Sequence, residues 1–201
     1  MSIDLFLALV VFAFVTSITP GPNNLMLLAS GMNFGFRRSV SHMLGISGGF
    51  GLMIVVVGLG VGQLFESIPM LYDGLRIVSG LYMLWLAWKI ATSGPVADGI
   101  ERSRPMTFLQ AALFQWVNPK AWVMALAAIA TYSVAGAYLA SLAMIAVVFS
   151  IVNLPTISVW AIAGTGLRTV LRDPTILRAF NIGMAVLLVL SLWPLLKETP
   201  V

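Results

Sequence analysis

Two short polar motifs interrupt the apolar stretches of this sequence, and they hold its candidate chemistry. The first consists of Thr19, Pro20, Gly21, Pro22, Asn23 and Asn24. The second consists of Gln115, Trp116, Val117, Asn118, Pro119 and Lys120. Proline removes a backbone hydrogen bond from a helix, and the amide side chains supply both donors and acceptors. These residue types predict a binding site for a small polar solute. The sequence offers no nucleophile–base pair for an enzyme.

Each motif also carries the signature of a new helix beginning inside an apolar span. Thr19-Pro20 and Asn118-Pro119 are both typical of an N-cap followed by proline at the first helical position. A helix N-terminus has unpaired N–H groups and about half a positive charge, which suits a carboxylate. Two such ends, on helices that run in opposite directions, would converge on one cavity. The alternative is that the prolines merely kink their helices, as prolines in membrane proteins often do.

Lys120 is the one basic residue deep within an apolar span. It lies about 18 Å from the predicted start of that span at 1.5 Å per residue. An unpaired ammonium at that depth is costly, so we expect Lys120 to line a wet cavity and attract a carboxylate. Asn153, two residues before Pro155, would either complete this polar cavity or form a local hydrogen bond at a kink. The predicted substrate-binding residues are Thr19, Pro20, Gly21, Pro22, Asn23, Asn24, Gln115, Asn118, Pro119, Lys120 and Asn153.

His42 is the only histidine, and the chain has no cysteine. A histidine in a membrane protein can relay protons, but a lone histidine near a helix end is more often interfacial. Both interpretations stay open at this point. One histidine without cysteine or a buried carboxylate pair does not predict a transition-metal site. We therefore expect neither a bound metal nor a cofactor.

Membrane helices must position these motifs. Of the 201 residues, 60% are apolar and only 9% are charged, with a mean hydropathy of +1.00. A soluble domain carries roughly 25% charged residues, so this chain cannot cover a water-facing surface. The composition predicts an all-α integral membrane protein whose solvent is the lipid bilayer. The net charge of +4 comes from residues in short loops, so nucleic acid is not an expected partner.

Six predicted spans fill the chain and leave no room for a soluble domain, since each crossing needs roughly 20 apolar residues. They cover about 3–30, 40–63, 70–91, 108–131, 137–165 and 178–196. The first and fourth spans contain the two motifs. The N-terminal stretch has no basic region and no small-residue cleavage site. It predicts a retained helix rather than a signal peptide.

The two interrupted spans lie half a chain apart, and each opens a unit of three spans. The predicted units are 1–93 and 108–201, joined by a loop at 94–107. Because three is odd, the second unit would be inserted upside down relative to the first. Secondary transporters share this plan, and their broken helices mark the substrate site. The predicted fold is therefore six transmembrane helices in two inverted three-helix repeats, with the first and fourth helices broken.

The distribution of basic residues predicts the orientation of the chain. Eight of the 11 Lys and Arg residues fall in the odd-numbered loops. The positive-inside rule places those loops in the cytoplasm and both termini outside. The second span is rich in glycine, which predicts close helix packing. Such small-residue faces would also allow a homodimer.

Several motifs together resemble the LysE/RhtB family of bacterial amino-acid exporters. They are residues 19–24, Gly35-Phe36-Arg37-Arg38, the stretch from Tyr82 to Lys89, and Asn118-Pro119-Lys120-Ala121. The similarity covers essentially the whole chain. Within the family it is nearest to exporters of cysteine and O-acetylserine, or of other small neutral amino acids. The resemblance implies six helices, a bacterial cytoplasmic-membrane location and amino-acid export. It also implies drive by the proton-motive force, since the chain has no ATP-binding motif.

Three classes of function follow from these observations. The first is export of small amino acids, which are expected to be neutral. Lysine-type exporters tend to carry an acid in the second span, and the stretch from Gly45 to Gly62 has none. The second is a transporter or channel for another small solute, such as an organic or inorganic anion, which the same helix ends would bind. The third, a membrane enzyme or scaffold, is disfavoured by the lack of a catalytic pair or metal cluster.

Overall fold

The computed structural model describes residues 1–62, 67–92, 104–167 and 174–190, and these ranges are almost entirely helical. The α-helices are α1 (Ile3–Ile18), α2 (Pro22–Phe34), α3 (Phe36–Val56), α4 (Pro69–Ala91), α5 (Phe108–Phe114), α6 (Pro119–Tyr132), α7 (Tyr138–Leu167) and α8 (Pro174–Leu190). A π-helical turn, Val57–Val61, extends α3, and 3-10 turns cover Gln115–Val117 and Ala135–Ala137. The predicted all-helical architecture is confirmed.

Two of the described helices are long and apolar enough to cross a membrane on their own. They are α3 with its π-helical turn, Phe36–Val61, and α7. The pair α1 and α2 would add a third span if it counts as one, and its two halves meet at a bend of 57°. Shorter apolar helices are Ile77–Ala91, Phe108–Val117 and Arg178–Leu190. The six-span count and the inverted repeat stay predictions.

The connection between α2 and α3 is shorter than the predicted loop. Gly35 alone separates the two helices, and its φ of 79° lies in the left-handed region that favours glycine. Consequently α3 begins at Phe36 rather than near residue 40. Residues 93–103 and 191–201 lie outside the described ranges. They include most of the predicted 94–107 loop and the end of the predicted sixth span.

Helix α7 lies at the centre of the fold and packs against α1, α2 and α3. It approaches α2 so closely that a Cβ added at Gly31 would overlap the backbone of Ala161, and one at Gly164 would overlap the backbone of Leu28. Similarly close packing joins α3 to α5. The small residues thus allow close helix packing, as the sequence predicts.

The side chains of the core form two main clusters. One joins α1, α3, α6 and α7, and its centre is Phe149, whose ring contacts Phe12 and Phe50 at centroid distances of 6.1 and 5.2 Å. The other joins α2, α4, α5 and α8. Hydrogen bonds from Lys120 on α6 to Thr19 and Pro20 join the two interrupted regions. The packing therefore brings the two interrupted regions to the same part of the bundle.

His42 lies on α3 and is only 2% exposed, so its ring faces the interior of the bundle. Neither ring nitrogen has a hydrogen-bond partner among the described residues. The helices α2, α5 and α7 pack against α3, and their sequences contain no Asp or Glu. A role as a proton relay stays a prediction.

Candidate functional site

The first interruption separates α1 from α2 by three residues in extended conformation. Thr19 ends α1, and its hydroxyl donates to the carbonyl of Thr16 at 2.9 Å. Helix α2 starts at Pro22, with Gly21 as an N-cap that offers no side-chain hydrogen bond. The predicted N-cap at Thr19, followed by Pro20 at the first position, is therefore wrong. Pro22 takes the first helical position instead, because its missing N–H is not needed there.

The second interruption matches its prediction. Asn118 is the N-cap of α6, and its side-chain oxygen accepts from the backbone N–H of Lys120 at 3.2 Å. Pro119 occupies the first helical position. The break itself is gradual, because the 3-10 turn from Gln115 leads directly into the cap. This interruption satisfies much of its own backbone and leaves little of it open.

Lys120 connects the two interruptions. Its Nζ donates to the carbonyl oxygen of Thr19 at 2.7 Å, to the hydroxyl of Thr19 at 2.8 Å and to the carbonyl of Pro20 at 3.4 Å. These oxygens lie at the C-terminal end of α1, where the helix dipole is negative and a cation is favoured. The ammonium is therefore matched by uncharged oxygen atoms rather than by a carboxylate.

A pair of amide side chains forms a second connection. The Nδ2 of Asn23 donates to the Oε1 of Gln115 at 2.8 Å, and the Nε2 of Gln115 donates back to the Oδ1 of Asn23 at 3.2 Å. Gln115 is fully buried and also donates to the carbonyl of Ala111 at 2.9 Å. Each amide thus satisfies the other in a region where an unpaired group costs about 1–3 kcal/mol.

Asn153 joins three helices. Its Nδ2 donates to the hydroxyl of Ser17 on α1 at 3.2 Å, and its Oδ1 accepts from the hydroxyl of Ser47 on α3 at 3.1 Å. Asn24 holds the end of α1 from the other side, since its Nδ2 donates to the carbonyls of Ser17 and Thr19, both at 2.8 Å. Asn153 therefore belongs to the polar cluster and is not merely bonded locally at a kink.

A cavity lies among these side chains. Seven of the predicted residues line it: Gly21, Asn23, Asn24, Gln115, Asn118, Lys120 and Asn153. The predicted Thr19, Pro20, Pro22 and Pro119 are absent from the lining and instead shape the backbone at the helix ends. The free volume inside is about 20 Å³, which holds about one water molecule. An amino acid would require the cavity to widen.

The sequence reasoning missed six further lining residues, Thr16, Ser17, Phe50, Ala121, Met124 and Ile157. Thr16 and Ser17 are polar residues one turn before the first motif, and that position was a usable signal. Phe50, Met124 and Ile157 give the cavity an apolar wall. They could not be recognised, because an apolar residue on a membrane helix is indistinguishable by type from core.

Lys120 is the one charged residue among the described residues that line the cavity. Across the described ranges, no group of three or more His, Asp or Glu side chains could hold a metal ion. The cavity thus combines one cation, five amide side chains and an apolar wall. This combination suits a small solute with an anionic group and further hydrogen-bonding groups.

The LysE type translocator family matches the chain over residues 14–191. The chain belongs to this family. It is 31% identical to the cysteine/O-acetylserine efflux protein of Escherichia coli (strain K12) over 180 residues, which are 89% of this chain and 90% of that protein. The resemblance that the motifs indicate is therefore confirmed, and the chain is a member of a family of membrane translocators.

A second relative matches over a shorter segment. The chain is 37% identical to the cysteine/O-acetylserine efflux protein of Salmonella typhimurium over 122 residues, which are 60% of this chain. The match spans only 62% of that relative's own length. No solved structure matches the chain.

Proposed function

We propose that this translocator exports small neutral amino acids or their close derivatives across the bacterial cytoplasmic membrane. The observation that carries the proposal is the convergence of Lys120, Asn23 and Gln115, from both halves of the chain, on one cavity. The names of the relatives add cysteine and O-acetylserine as the first substrates to test.

The cavity supplies what a neutral amino acid needs. The ammonium of Lys120 and the first N–H groups of α2, which have no side-chain cap, favour a carboxylate. The amides of Asn23 and Asn118 bind polar atoms, and the apolar wall takes a small side chain. No Asp or Glu is among the described lining residues, so a cationic side chain would have no counter-charge there. This charge balance favours neutral substrates over lysine or arginine.

Transport would follow the plan of two inverted halves. The spans would place the odd-numbered loops in the cytoplasm and both termini outside. A cavity of about 20 Å³ has to open toward one side and then the other for an amino acid to pass. The proton-motive force is the proposed energy source, since the sequence carries no ATP-binding motif.

The decisive experiment is an efflux panel. Cells that express the chain are loaded with dipeptides, and the release of each amino acid is compared with that of cells lacking it. We expect faster release of cysteine, O-acetylserine or another small neutral amino acid. Asn23→Ala should abolish this release, whereas Asn33→Ala should not, because the side chain of Asn33 bonds only to Ala29 of its own helix within the described ranges and does not line the cavity. Equal release across the full panel would refute the proposal.

A second candidate function rests on the charge of the cavity. A single ammonium without an acidic neighbour also suits an organic or inorganic anion without an amino group. Counterflow in proteoliposomes separates the two functions. Exchange of acetate or phosphate without exchange of any amino acid would favour the anion transporter.

A further inference from the structure

Three oxygen atoms surround the ammonium of Lys120. They are the carbonyl and hydroxyl oxygens of Thr19 and the carbonyl oxygen of Pro20, at 2.7, 2.8 and 3.4 Å from Nζ. An ammonium has three N–H donors and no acceptor, so three uncharged oxygens match its hydrogen-bonding capacity. The negative end of α1 adds to the attraction. This arrangement is an ammonium-binding site, and a side chain of the protein fills it.

Two of the three oxygens, the carbonyl and hydroxyl of Thr19, are held in place independently of Lys120. Asn24 donates to the carbonyl of Thr19 at 2.8 Å, and the hydroxyl of Thr19 is fixed by its own bond to Thr16 at 2.9 Å. The backbone N–H of Thr19 bonds to Val15 at 3.2 Å. These two oxygens would therefore keep their positions if the ammonium left, and another ammonium could take its place.

Within the described structure, hydrogen bonds to uncharged oxygens hold Lys120, and no ion pair does. Its only side-chain contacts of a polar kind in the described structure are with these oxygens, and no acidic residue fixes it. Its aliphatic stem passes Gly21, where an added Cβ would lie 2.7 Å from Cδ. The missing side chain at Gly21 gives the stem its room. A long, flexible lysine beside a glycine can swing without any shift of the backbone.

We propose that these oxygens are the subsite for the α-ammonium of the transported amino acid, and that Lys120 occupies it between transport events. The substrate ammonium displaces Lys120, and the released side chain binds the substrate carboxylate. Each charged group then has a partner before and after binding. This inference rests on the proposed function and goes beyond it, because it requires a substrate with both an ammonium and a carboxylate.

A matched set of three compounds tests the two charged groups separately. They are O-acetyl-L-serine, 3-acetoxypropanoate, which lacks the ammonium, and 2-aminoethyl acetate, which lacks the carboxylate. The full chain is reconstituted in proteoliposomes, and each analogue competes against counterflow of labelled O-acetyl-L-serine. For the unmodified chain we expect both analogues to compete at least about tenfold more weakly than the parent compound, since each forfeits a charge-assisted contact.

Lys120→Met vacates the proposed subsite. Competition by 2-aminoethyl acetate should then become about tenfold stronger, because it no longer has to displace a bound ammonium. Competition by 3-acetoxypropanoate should weaken. Where counterflow by this variant is too slow, binding to the purified protein is measured by the shift in its thermal unfolding. A lysine that only clamps carboxylates predicts no gain for the amine, and that result would overturn the inference.

Thr19→Val provides a second, smaller change. It is made in the Lys120→Met background, where the lysine no longer competes for the same oxygens, and it removes one of the three oxygens while keeping the side-chain shape. Competition by 2-aminoethyl acetate should weaken about fivefold, and that by 3-acetoxypropanoate should stay the same. Thr92→Val is the matched control, since Thr92 is exposed at the end of α4 and, among the described residues, its hydroxyl bonds only to that helix. Equal weakening of both analogues would indicate a structural role and would also overturn the inference.

The two proposals fail in different ways. If the unmodified chain exchanges O-acetyl-L-serine but the variants do not separate the amine from the acid, the ammonium subsite is wrong and amino-acid transport stands. If the unmodified chain exchanges neither O-acetyl-L-serine nor any other amino acid of the panel, the proposed function is wrong and the subsite falls with it.

Discussion

Both interruptions place a proline at the start of a new helix. The first lies between α1 and α2, and the second lies between α5 and α6. They differ in how the freed backbone groups find hydrogen-bond partners. At the second, the side chain of Asn118 caps α6 and a 3-10 turn continues almost to the cap. At the first, Gly21 offers no cap, and the oxygens at the end of α1 receive donors from Lys120 and Asn24. The second interruption is self-sufficient, because its own residues satisfy its backbone. The first depends on the side chains of Lys120 and Asn24.

The difference shows that similar motifs in the two halves of a chain need not have equal roles. The second interruption caps the start of α6, from which Lys120 reaches the end of α1. The first presents open backbone groups that can accept either this side chain or a solute. Uncapped N–H groups are costly in a membrane, so their retention at the start of α2 fits a binding role better than a structural one.

Removal of the Lys120 ammonium, which connects the two interruptions, should have the largest effect on efflux. Lys120→Ala removes the ammonium from the oxygens of Thr19 and Pro20 and deletes the charge of the cavity. We expect efflux to fall by up to about a hundredfold, because the transported carboxylate loses its charge-assisted contact with the ammonium, worth roughly 1.5–3 kcal/mol. The measurement is efflux normalised to the protein in the membrane fraction. Lys89→Ala is the control, since Lys89 lies at the end of α4 beside Trp85 and outside the cavity. Near-normal efflux by Lys120→Ala would show that the Lys120 ammonium is not needed for transport.

Gly21→Ala tests whether the first interruption needs space for the side chain of Lys120. The φ of Gly21 is −176°, which any residue adopts, so the backbone tolerates alanine. The new Cβ would instead push the stem of Lys120, from which it lies 2.7 Å. Efflux should fall roughly ten- to a hundredfold through misplacement of the ammonium, with little change in thermal stability. A large loss of stability with unchanged substrate affinity would contradict this account.

The amide pair tests the second link between the interruptions. Gln115→Leu leaves the amide of Asn23 without its partner and should lower the free energy of unfolding by about 1–3 kcal/mol. Asn23→Leu combined with Gln115→Leu should recover part of the loss, because no orphaned amide remains. The thermal unfolding of both single variants and of the double variant completes the cycle. Additive losses would mean that the pair contributes no coupling.

Asn118→Ala tests the second interruption, where we expect a loss of stability. It removes the cap of α6 and should cost about 0.5–2 kcal/mol of stability. Asn118→Ser should restore most of this, since serine also caps helices well. The two variants are compared by thermal unfolding in one detergent. Failure of serine to rescue would show that Asn118 acts through the cavity rather than through the cap.

His42 provides the smallest expected effect, away from both interruptions. Its ring nitrogens have no partner among the described residues, so His42→Leu removes no hydrogen bond of that part of the chain. The free energy of unfolding should change by less than about 1 kcal/mol or rise slightly. A variant of unchanged stability that no longer responds to a pH gradient would instead support the relay.

The sequence predicts the helical architecture well, because long apolar runs with few charges have one solution in a bilayer. It also predicts Asn118 as a cap, since the cap and the proline are adjacent. It fails at Thr19, where two prolines compete for the first helical position and only the packing around Gly21 decides. The apolar wall of Phe50, Met124 and Ile157 is beyond sequence reasoning, because the facing of each side chain depends on the neighbouring helices.

The close contact between α2 and α7 limits how this sequence can evolve. A side chain at position 31 would collide with the backbone of α7, and one at position 164 would collide with the backbone of α2. Because each obstacle is main chain, no second substitution can remove it. A library randomised at both positions and selected for efflux should return glycine at each. Gly74 and Gly183 should accept alanine readily, since no described atom lies within 4 Å of the added carbon.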